Sequence, residues 1–346
     1  MIRLLLAAGI STFVALIGTK LLIIALTRRR IGQPIHEDVP EGHMVKAGTP
    51  TMGGVAIVAG ALAGYVTSNL YDGVFTWTGI AAMLAIMGAG AVGLLDDALK
   101  VFNARNLGLG RRAKMLGLLS VGIGFVALML WRTNVHTTIS FTRWDDFAEF
   151  GWDLGRWGWA VWAILLIAAA SNAVNLTDGL DGLAAGSASL VFAGYLVIGY
   201  WIFRYSGFYD INVGLDLAVV AAAMMGACAG FLWFNAAPAQ IFMGDTGSLA
   251  IGTGLAALAL SSSTALLLPI LGLVFVLETL SVILQVASFR LFGRRIFRMA
   301  PIHHHFELKG WPETTVIIRL WMLTAGCTAL GLGLFYREFI RAGGLG

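Results

Sequence analysis

The sequence predicts an all-α polytopic integral membrane protein, and three observations lead to this class. Of the 346 residues, 58% are hydrophobic and only 12% are charged, which is about half the charged share of a soluble domain. The mean hydropathy is +0.82. The apolar residues form runs of about 20, the length that a helix needs to cross a bilayer. These observations exclude a soluble enzyme, a disordered chain and a protein that binds nucleic acid.

Ten apolar runs are long enough to be membrane spans. The eighth and ninth are separated only by 261–264, so one long bent helix is an alternative there. The connections are short and no internal repeat is evident, so we expect residues 1–346 to form a single integral membrane domain. The expected spans are 3–26, 53–70, 77–95, 114–131, 158–174, 183–203, 214–233, 248–263, 265–289 and 315–336.

The distribution of Lys and Arg predicts the orientation of these spans. Arg28, Arg29 and Arg30 follow the first span, which places that end in the cytoplasm and the N-terminus outside. With ten spans, the cytoplasmic segments contain fourteen Lys and Arg residues and the external segments contain seven. We therefore expect both termini on the extracytoplasmic side.

Residues 172–182 form a cytoplasmic segment that has no Lys or Arg but is rich in polar residues. Asn172, Asn175, Asp178 and Asp181 recur every third residue, a step of about 60° around a helix. Gly179 would let the chain bend so that these groups converge on a ligand. The alternative is a glycine-rich turn in which Asn and Asp cap the helices.

Residues 234–248 form a second such segment, in which Asp245 lies between Gly244 and Gly247 just before a span. The N-terminus of that span offers unpaired N–H groups and the positive end of the helix dipole, which suit an anion. The alternative is that Asp245 or Thr246 only caps the helix.

Two adjacent carboxylates, Asp96 and Asp97, end the third span. Neighbouring side chains on a helix diverge by about 100°, so the two are expected to have different roles. Lys100 lies four residues after Asp96, and a surface ion pair between them is the alternative to a functional site.

Three consecutive histidines occur in 301–307. Their side chains point apart and their spacing is unlike that of zinc ligands, so hydrogen bonds to a phosphate or a base are the preferred interpretation. Glu278 and Gln285 lie inside the ninth span. A polar group there marks either a functional site or a helix-packing hydrogen bond.

Carboxylates and hydroxyls near helix N-termini suit Mg²⁺ that holds phosphate groups. Phosphoryl transfer needs positioning and charge neutralisation, and a site at the cytoplasmic face could join a soluble nucleotide to a lipid phosphate. Lys100, Arg105, Arg111, Arg112 and Lys114 suit the anionic lipid head, although the positive-inside bias alone also explains them.

Five segments together resemble the phospho-N-acetylmuramoyl-pentapeptide-transferases, a branch of the polyprenyl-phosphate N-acetylhexosamine-1-phosphate transferases. The resemblance runs from about residue 28 to residue 321. The acidic segments resemble the wider superfamily, whereas the first and last segments are typical of the muramoyl-pentapeptide branch. The five segments are KAGTPTMGG (46–54), LLDDALK (94–100), NAVNLTDGLDGLA (172–184), FMGDTGSLA (242–250) and PIHHHFELKGWPE (301–313).

The resemblance implies a homodimer in the bacterial cytoplasmic membrane. It implies transfer of phospho-MurNAc-pentapeptide from UDP-MurNAc-pentapeptide to undecaprenyl phosphate, which gives lipid I and UMP with Mg²⁺ as cofactor. Asp245 matches the metal ligand, and Asp96 and Asp97 match the essential pair that completes the catalytic set. Lys100, Arg112 and Lys114 are expected at the lipid phosphate. The residues expected at the nucleotide and substrate site are Lys46, Thr51, Asn172, Asn175, Asp178, Gly179, Asp181, Asn235, Phe242, Gln285, His304 and His305.

Two other functions stay open at this point. A sister enzyme could transfer N-acetylglucosamine-1-phosphate, although the three histidines argue against it. A membrane transporter is a different class. Transporters place coupling groups at mid-membrane and often have inverted repeats, whereas here Glu278 is the only carboxylate clearly deep in a span.

Overall fold

The computed structural model describes residues 1–28, 48–72, 74–102, 108–143, 151–341 and 343–344. In these ranges the chain is mostly helical, as expected, but an antiparallel hairpin of two short strands shows that the all-α prediction is wrong between the fourth and fifth helices. The strands are Thr138–Ser140 (β1) and Gly151–Asp153 (β2). The helices are Ile2–Arg28 (α1), Gly54–Asp72 (α2), Trp77–Phe102 (α3), Arg111–Arg132 (α4), Gly155–Thr177 (α5), Leu183–Arg204 (α6), Ser206–Tyr209 (α7), Gly214–Asn235 (α8), Gly244–Ser261 (α9), Leu268–Leu271 (α10), Leu273–Phe292 (α11), Ile302–Glu307 (α12) and Glu313–Arg341 (α13).

Nine of the helices in the described ranges are long and apolar enough to cross a membrane, namely α1 to α6, α8, α11 and α13. The chain is therefore a multi-span membrane protein. The predicted break after the eighth span is confirmed, because α9 ends at Ser261 and Ser263 adopts a left-handed backbone conformation with φ of 55° before α10 begins.

Helix α9 lies inside the bundle and is not among these nine helices. Its residues from Asp245 to Ser261 are all buried, and glycines on the neighbouring helices let it approach closely. A Cβ on Gly54 of α2 would overlap the backbone of Gly247, and a Cβ on Gly93 of α3 would overlap that of Asp245. Small residues at such crossings let helix backbones touch, which is a common form of packing in membranes.

One end of the bundle, called the terminal end, contains both ends of the described chain. Arg3 of α1 is buried there, hydrogen-bonds Asn69 at the end of α2, and lies 3.8 Å from a carboxylate oxygen of Asp216 at the start of α8. At the same end, Tyr209 stacks on Phe335 of α13 with ring centroids 5.4 Å apart. The β-hairpin also lies here, because it joins the end of α4 to the start of α5.

The opposite end of the bundle, called the carboxylate end, brings together the end of α3, the end of α5 and the starts of α9 and α13. Asp97 contacts the first turn of α9 there, and Asn175 of α5 reaches the same turn. Glu313 of α13 accepts a hydrogen bond from the backbone of Asp181. The polar segments that the sequence singled out therefore meet at one end of the bundle.

Candidate active site

Three carboxylates meet at the carboxylate end. Asp96 and Asp97 lie near the end of α3, and Asp245 lies in the first turn of α9. One oxygen from each lies within 4.8 Å of the others, and all three side chains are buried. Carboxylates this close repel one another unless donors or cations compensate, so their partners determine what each can do.

Asp97 caps the N-terminus of α9. Its oxygens accept hydrogen bonds from the backbone N–H of Asp245 at 3.0 Å, from the backbone N–H of Thr246 at 2.9 Å and from the Thr246 hydroxyl at 2.7 Å. Gly244 makes this approach possible, because it has a φ of +69° and a Cβ there would lie 2.5 Å from Asp97 Oδ2. Asp97 thus supplies the acceptor that a helix N-terminus requires and fixes the position of Asp245.

Asp96 has different partners from its neighbour, as the 100° step along the helix predicts. Its Oδ1 accepts a hydrogen bond from the backbone N–H of Leu109 at 2.7 Å. Its Oδ2 lies 2.6 Å from the ammonium nitrogen of Lys100. Asp96 therefore faces the basic segment that leads into α4, whereas Asp97 faces α9.

Two lysines offset part of the negative charge of the acidic cluster. Lys100 Nζ lies 2.6 Å from Asp96 and 2.9 Å from Asp245, and Lys114 Nζ of α4 lies 2.8 Å from the same oxygen of Asp245. The alternative of a simple surface pair between Asp96 and Lys100 is therefore wrong, because the pair belongs to a cluster of three buried carboxylates and two partly buried ammonium groups. Arg112, also expected at the lipid phosphate, is exposed.

Asn175 of α5 orients Asp245 from the side opposite the lysines. Its amide nitrogen donates to Asp245 Oδ1 at 2.5 Å and to the Ser248 hydroxyl at 2.8 Å. Asn172, one turn earlier, instead donates to the backbone oxygen of Ala168 in its own helix at 2.7 Å. The structure thus brings one of the two predicted asparagines to the cluster.

Asp178 directly follows the last residue of α5 beside the cluster, and it is partly buried. Burial raises the pKa of Asp178 well above its ordinary value, and the negative charges of Asp245, Asp97 and Asp181 raise it further. An added cation would oppose this effect, because it favours the ionised carboxylate.

The turn between α5 and α6 is attached to the segment before α9 by two predicted site residues. Asp181 accepts a hydrogen bond from the backbone N–H of Ala239 at 2.9 Å. Asn235 accepts from the backbone N–H of Gly182 at 3.1 Å and donates to the backbone oxygen of Ile241 at 2.9 Å. Both side chains are buried, so they hold two polar loops together.

Residues 50–53, which precede α2, lie against the segment that contains Phe242. The backbone N–H of Phe242 donates to Pro50 at 2.8 Å, and the backbone N–H of Gly53 donates back to Phe242 at 2.9 Å. Thr51, predicted at the substrate site, is buried between these bonds. Lys46 lies outside the described residues, as does Arg105.

The three histidines form α12, which lies beside the turn between α5 and α6. His304 Nδ1 lies 2.7 Å from Glu307 Oε2. His303, which is not among the predicted site residues, is fully buried, and its Nδ1 lies 3.0 Å from Glu278 of α11. A Cβ on Gly179 would overlap the other ring nitrogen of His303. The only sequence signal for a role of His303 was its position as the first of three consecutive histidines.

His305 faces outward from α12. Its Nδ1 accepts a hydrogen bond from the backbone N–H of Arg298 at 3.1 Å. Slight burial and the nearby charges of Lys309 and Arg298 lower the pKa of His305. The lowered pKa favours the neutral ring, which agrees with its role as an acceptor.

Gln285 of α11 holds the chain that returns towards α12. Its side-chain oxygen accepts from the backbone N–H groups of Ile296 and Phe297, both at 3.0 Å, and its nitrogen donates to Phe297. These bonds fix the loop that follows α11, and the role of Gln285 at the substrate site stays a prediction.

The carboxylate cluster has the donor atoms that Mg²⁺ prefers. Mg²⁺ takes one or two carboxylates together with phosphate oxygens and waters. Asp97 already accepts three hydrogen bonds from the start of α9, so Asp245 and Asp96 are the carboxylates better placed to hold the ion. Their present partners are lysines, which can turn to anionic phosphates when a cation takes their place.

Comparison with known proteins identifies the family. The model of glycosyl transferase family 4 matches residues 77–263, which include all three clustered carboxylates. Phospho-N-acetylmuramoyl-pentapeptide-transferase signature 1 matches residues 46–58. The phospho-N-acetylmuramoyl-pentapeptide-transferase of Streptomyces coelicolor is 49% identical to this chain, in an alignment of 96% of the chain and 98% of the relative. The chain belongs to the phospho-N-acetylmuramoyl-pentapeptide-transferase family.

Other members of the phospho-N-acetylmuramoyl-pentapeptide-transferase family are similar over nearly their full length. The enzyme of Frankia casuarinae is 48% identical, with 98% of the chain and 99% of the relative aligned. The enzyme of Rhodococcus jostii is 49% identical, with the same coverage. As a member of glycosyl transferase family 4, this chain is an enzyme, and the transporter alternative is excluded.

Proposed function

We propose that the protein transfers phospho-MurNAc-pentapeptide from UDP-MurNAc-pentapeptide to undecaprenyl phosphate, which gives lipid I and UMP. The observation that carries this proposal is the buried cluster of Asp96, Asp97 and Asp245 with Lys100 and Lys114. Such a cluster can hold a divalent cation and several phosphate groups at the end of a membrane bundle. The names of the relatives supply the identity of the transferred group, phospho-N-acetylmuramoyl-pentapeptide.

The donors of the cluster divide into distinct roles. Asp245 is the proposed Mg²⁺ ligand, and Asp96 stands beside it with one oxygen facing Lys100. Asp97 is a positioning residue, because its oxygens hold the start of α9. Bound Mg²⁺ would neutralise the diphosphate and polarise its oxygens. Lys100 and Lys114 would hold phosphate oxygens, and their positive charge favours the lipid phosphate as well as the nucleotide.

The nucleotide half of the site is proposed to lie beside the cluster. It is bounded by the turn between α5 and α6, by the loop before α9 and by α12. Hydrogen bonds through Asp181 and Asn235 join the first two of these segments, and His303 meets the turn at Gly179. The other residues proposed here are Lys46, Thr51, Asp178, Phe242, His304 and His305.

The polyprenyl chain is proposed to lie in an almost wholly apolar cavity between α5, α9, α10 and α11. Leu255, Pro269 and Phe275 contribute to its walls. The lining also includes Val174, the residue before Asn175, which bonds the proposed metal ligand. A lipid tail in this cavity would therefore place its phosphate near the cluster.

The reaction is proposed to proceed in one step. An oxygen of the lipid phosphate attacks the β-phosphorus, the one that bears the sugar, and forms the new P–O bond. The bond from that phosphorus to the bridging oxygen breaks, and UMP leaves with the oxygen. A phosphate monoester has a second pKa of about 6, so the nucleophile is already largely dianionic at neutral pH. A phosphorylated Asp96 or Asp97, trapped with nucleotide substrate alone, would overturn this mechanism.

The proposed architecture is a single domain with ten spans in the bacterial cytoplasmic membrane, both termini outside. Helix α9 would be the tenth span, shielded from lipid by its neighbours. Two features support this orientation. Both ends of the described chain lie at the terminal end, whereas Lys100 and Lys114 lie at the carboxylate end, as the positive-inside rule expects for the cytoplasmic side. A homodimer is proposed from the resemblance, and its mass in detergent solution would test it.

A purified-protein assay tests the function. The protein is combined with UDP-MurNAc-pentapeptide and polyprenyl phosphate, with Mg²⁺ or with EDTA, and UMP release is followed. We expect UMP only with Mg²⁺ and both substrates, and no competition from UDP-N-acetylglucosamine. Asp245→Asn should lower the rate about 10³-fold. Asp72→Asn is the control, because Asp72 is half-exposed at the terminal end. Equal use of the two UDP-sugars would favour the sister enzyme.

A further inference from the structure

A fully buried carboxylate inside the membrane has a specific partner on α12. Glu278 Oε2 lies 3.0 Å from His303 Nδ1 and 3.5 Å from the His303 backbone nitrogen. The side chains of both residues have no exposed surface. A carboxylate that accepts from one imidazole nitrogen fixes the orientation of the ring. Glu278 therefore determines the direction in which the opposite edge of His303 points.

That opposite edge faces the turn between α5 and α6. His303 Nε2 is buried and has no hydrogen-bond partner among the described residues. A Cβ on Gly179 would overlap this atom, so the ring occupies the space where other residue types have a side chain. The ring and the turn are thus joined by close packing.

The turn is held from its other side as well. Asp181 accepts from the backbone N–H of Ala239, and its own backbone N–H donates to Glu313 at 3.1 Å. Residues 178–182 are therefore held by the packing of His303 on one side and by the hydrogen bonds of Asp181 on the other. This turn includes Asp178, which lies near the acidic cluster.

We infer that Glu278 is a positioning residue for the nucleotide half of the site. It touches no substrate group and acts through His303, whose ring fixes the position of Gly179 and therefore that of Asp178. The inference rests on the proposed function, because the proposed function assigns the turn between α5 and α6 to the nucleotide half of the site. It predicts that disturbance of Glu278 weakens nucleotide use and spares the lipid acceptor.

The test measures KM for the nucleotide and for polyprenyl phosphate in a set of variants. Glu278→Ala should raise the nucleotide KM about tenfold or more, because the turn is misplaced, with the lipid KM unchanged. Glu278→Gln retains an acceptor for His303 Nδ1 and should restore most of the loss. Gly179→Ala should also raise the nucleotide KM, because the added methyl group meets a ring that Glu278 holds in place.

A double-mutant cycle separates this mechanism from general damage. Removal of Glu278 frees the ring to move, so the added effect of Gly179→Ala should be clearly smaller in the Glu278→Ala background. Ser281→Ala is the matched control. Ser281 is buried on the same helix and donates to the Glu278 backbone oxygen, but no described hydrogen bond joins it to α12. If Glu278→Ala does not fold, Gly179→Ala and Glu278→Gln still provide the KM comparison.

Three results would overturn the inference. They are equal increases in both KM values, additive effects of the two substitutions, and a Glu278→Gln variant as impaired as Glu278→Ala. The unsubstituted protein keeps this test separate from the proposed function. If it releases no UMP, the function fails. If it is active and the variants show one of the three results, only the role of Glu278 fails.

Discussion

Asp97 on α3 caps the helix that positions Asp245. Its carboxylate accepts the backbone N–H of Asp245 at 3.0 Å and that of Thr246 at 2.9 Å. Two of the acidic residues of the cluster are therefore connected through a helix N-terminus, and a change at the first displaces the second.

We expect Asp97→Asn to lower kcat about 10²-fold, because a displacement of the reacting groups by about 1 Å can lower the rate by that factor. Asn offers the start of α9 one accepting oxygen where Asp97 offers two, so the Tm should also fall, since capping groups contribute about 0.5–2 kcal/mol to stability. Steady-state kinetics and thermal unfolding in detergent check both. Asp210→Asn is the control, because Asp210 is exposed at the terminal end, and an Asp97→Asn variant with native Tm and kcat would contradict this role.

Asn175→Ala should weaken Mg²⁺ binding, because the amide holds Asp245 Oδ1 at 2.5 Å. Loss of such a supporting hydrogen bond costs about 10–100-fold in metal affinity. The measurement is the Mg²⁺ concentration that gives half-maximal UMP release. Asn172→Ala is the matched control on the same helix, because that amide bonds its own helix. Similar Mg²⁺ requirements of the two variants would rule out this function for Asn175.

The basic residues near the start of α4 should differ in importance. Lys114 lies 2.8 Å from Asp245, whereas Arg112 is exposed. We expect Lys114→Gln to lower kcat/KM by about 10²-fold, as for a charged hydrogen bond lost from a phosphate site. Arg112→Gln should lower it about twofold at most, because an exposed charge contributes little. A larger effect of Arg112→Gln would show that the lipid phosphate binds farther out along α4.

Asp178→Asn should stabilise the protein at neutral and alkaline pH. The pKa of Asp178 is raised in the folded state, first by burial and then by the neighbouring carboxylates, from an ordinary value of 3.8. The folded protein therefore binds this proton more tightly than the unfolded chain, so ionisation costs stability as the pH rises through the folded pKa. The Tm gain should be greatest at about pH 8. It should disappear at about pH 4, because Asp178 is then protonated in the folded protein and increasingly so in the unfolded chain.

Asp153→Asn should have the opposite effect on stability at neutral pH. A hydrogen bond from Thr137, and then one from the backbone of Gly155, lowers the pKa of Asp153. Its substitution should therefore cost some stability at neutral pH, and this loss should fade in acid. Unfolding curves in EDTA, recorded from acid to alkaline pH, measure both variants. A constant Tm difference for Asp178→Asn at every pH would refute the assignment.

The sequence predicted the regular helices well because the bilayer imposes a long apolar run on each. It also predicted the divergence of Asp96 and Asp97, since that follows from helix geometry alone. It could not show that the Lys100 pair is buried, because Asp245 and Lys114 join it from distant parts of the chain. The β-hairpin was missed because its strands have only three residues each.

The site residues on returning segments were the hardest to predict. Gln285 bonds a segment that folds back onto its own helix, and neither composition nor spacing encodes that return. His303 and Glu278 are separated by the same excursion, so their contact was equally hidden. Periodicity reports which side chains share a helix face, but it does not report what a loop brings against that face.

The pairing of Arg3 has a consequence for biosynthesis. During translation, α1 and α2 emerge together, and Arg3 finds Asn69 and Asp72 within this first hairpin. Asp216, its other acidic neighbour, is synthesised much later, with α8. A buried arginine without its full set of partners is costly in lipid. The packing of the first helix to be made is therefore complete only when α8 is in place, and we expect a chain truncated before α8 to leave Arg3 without this partner.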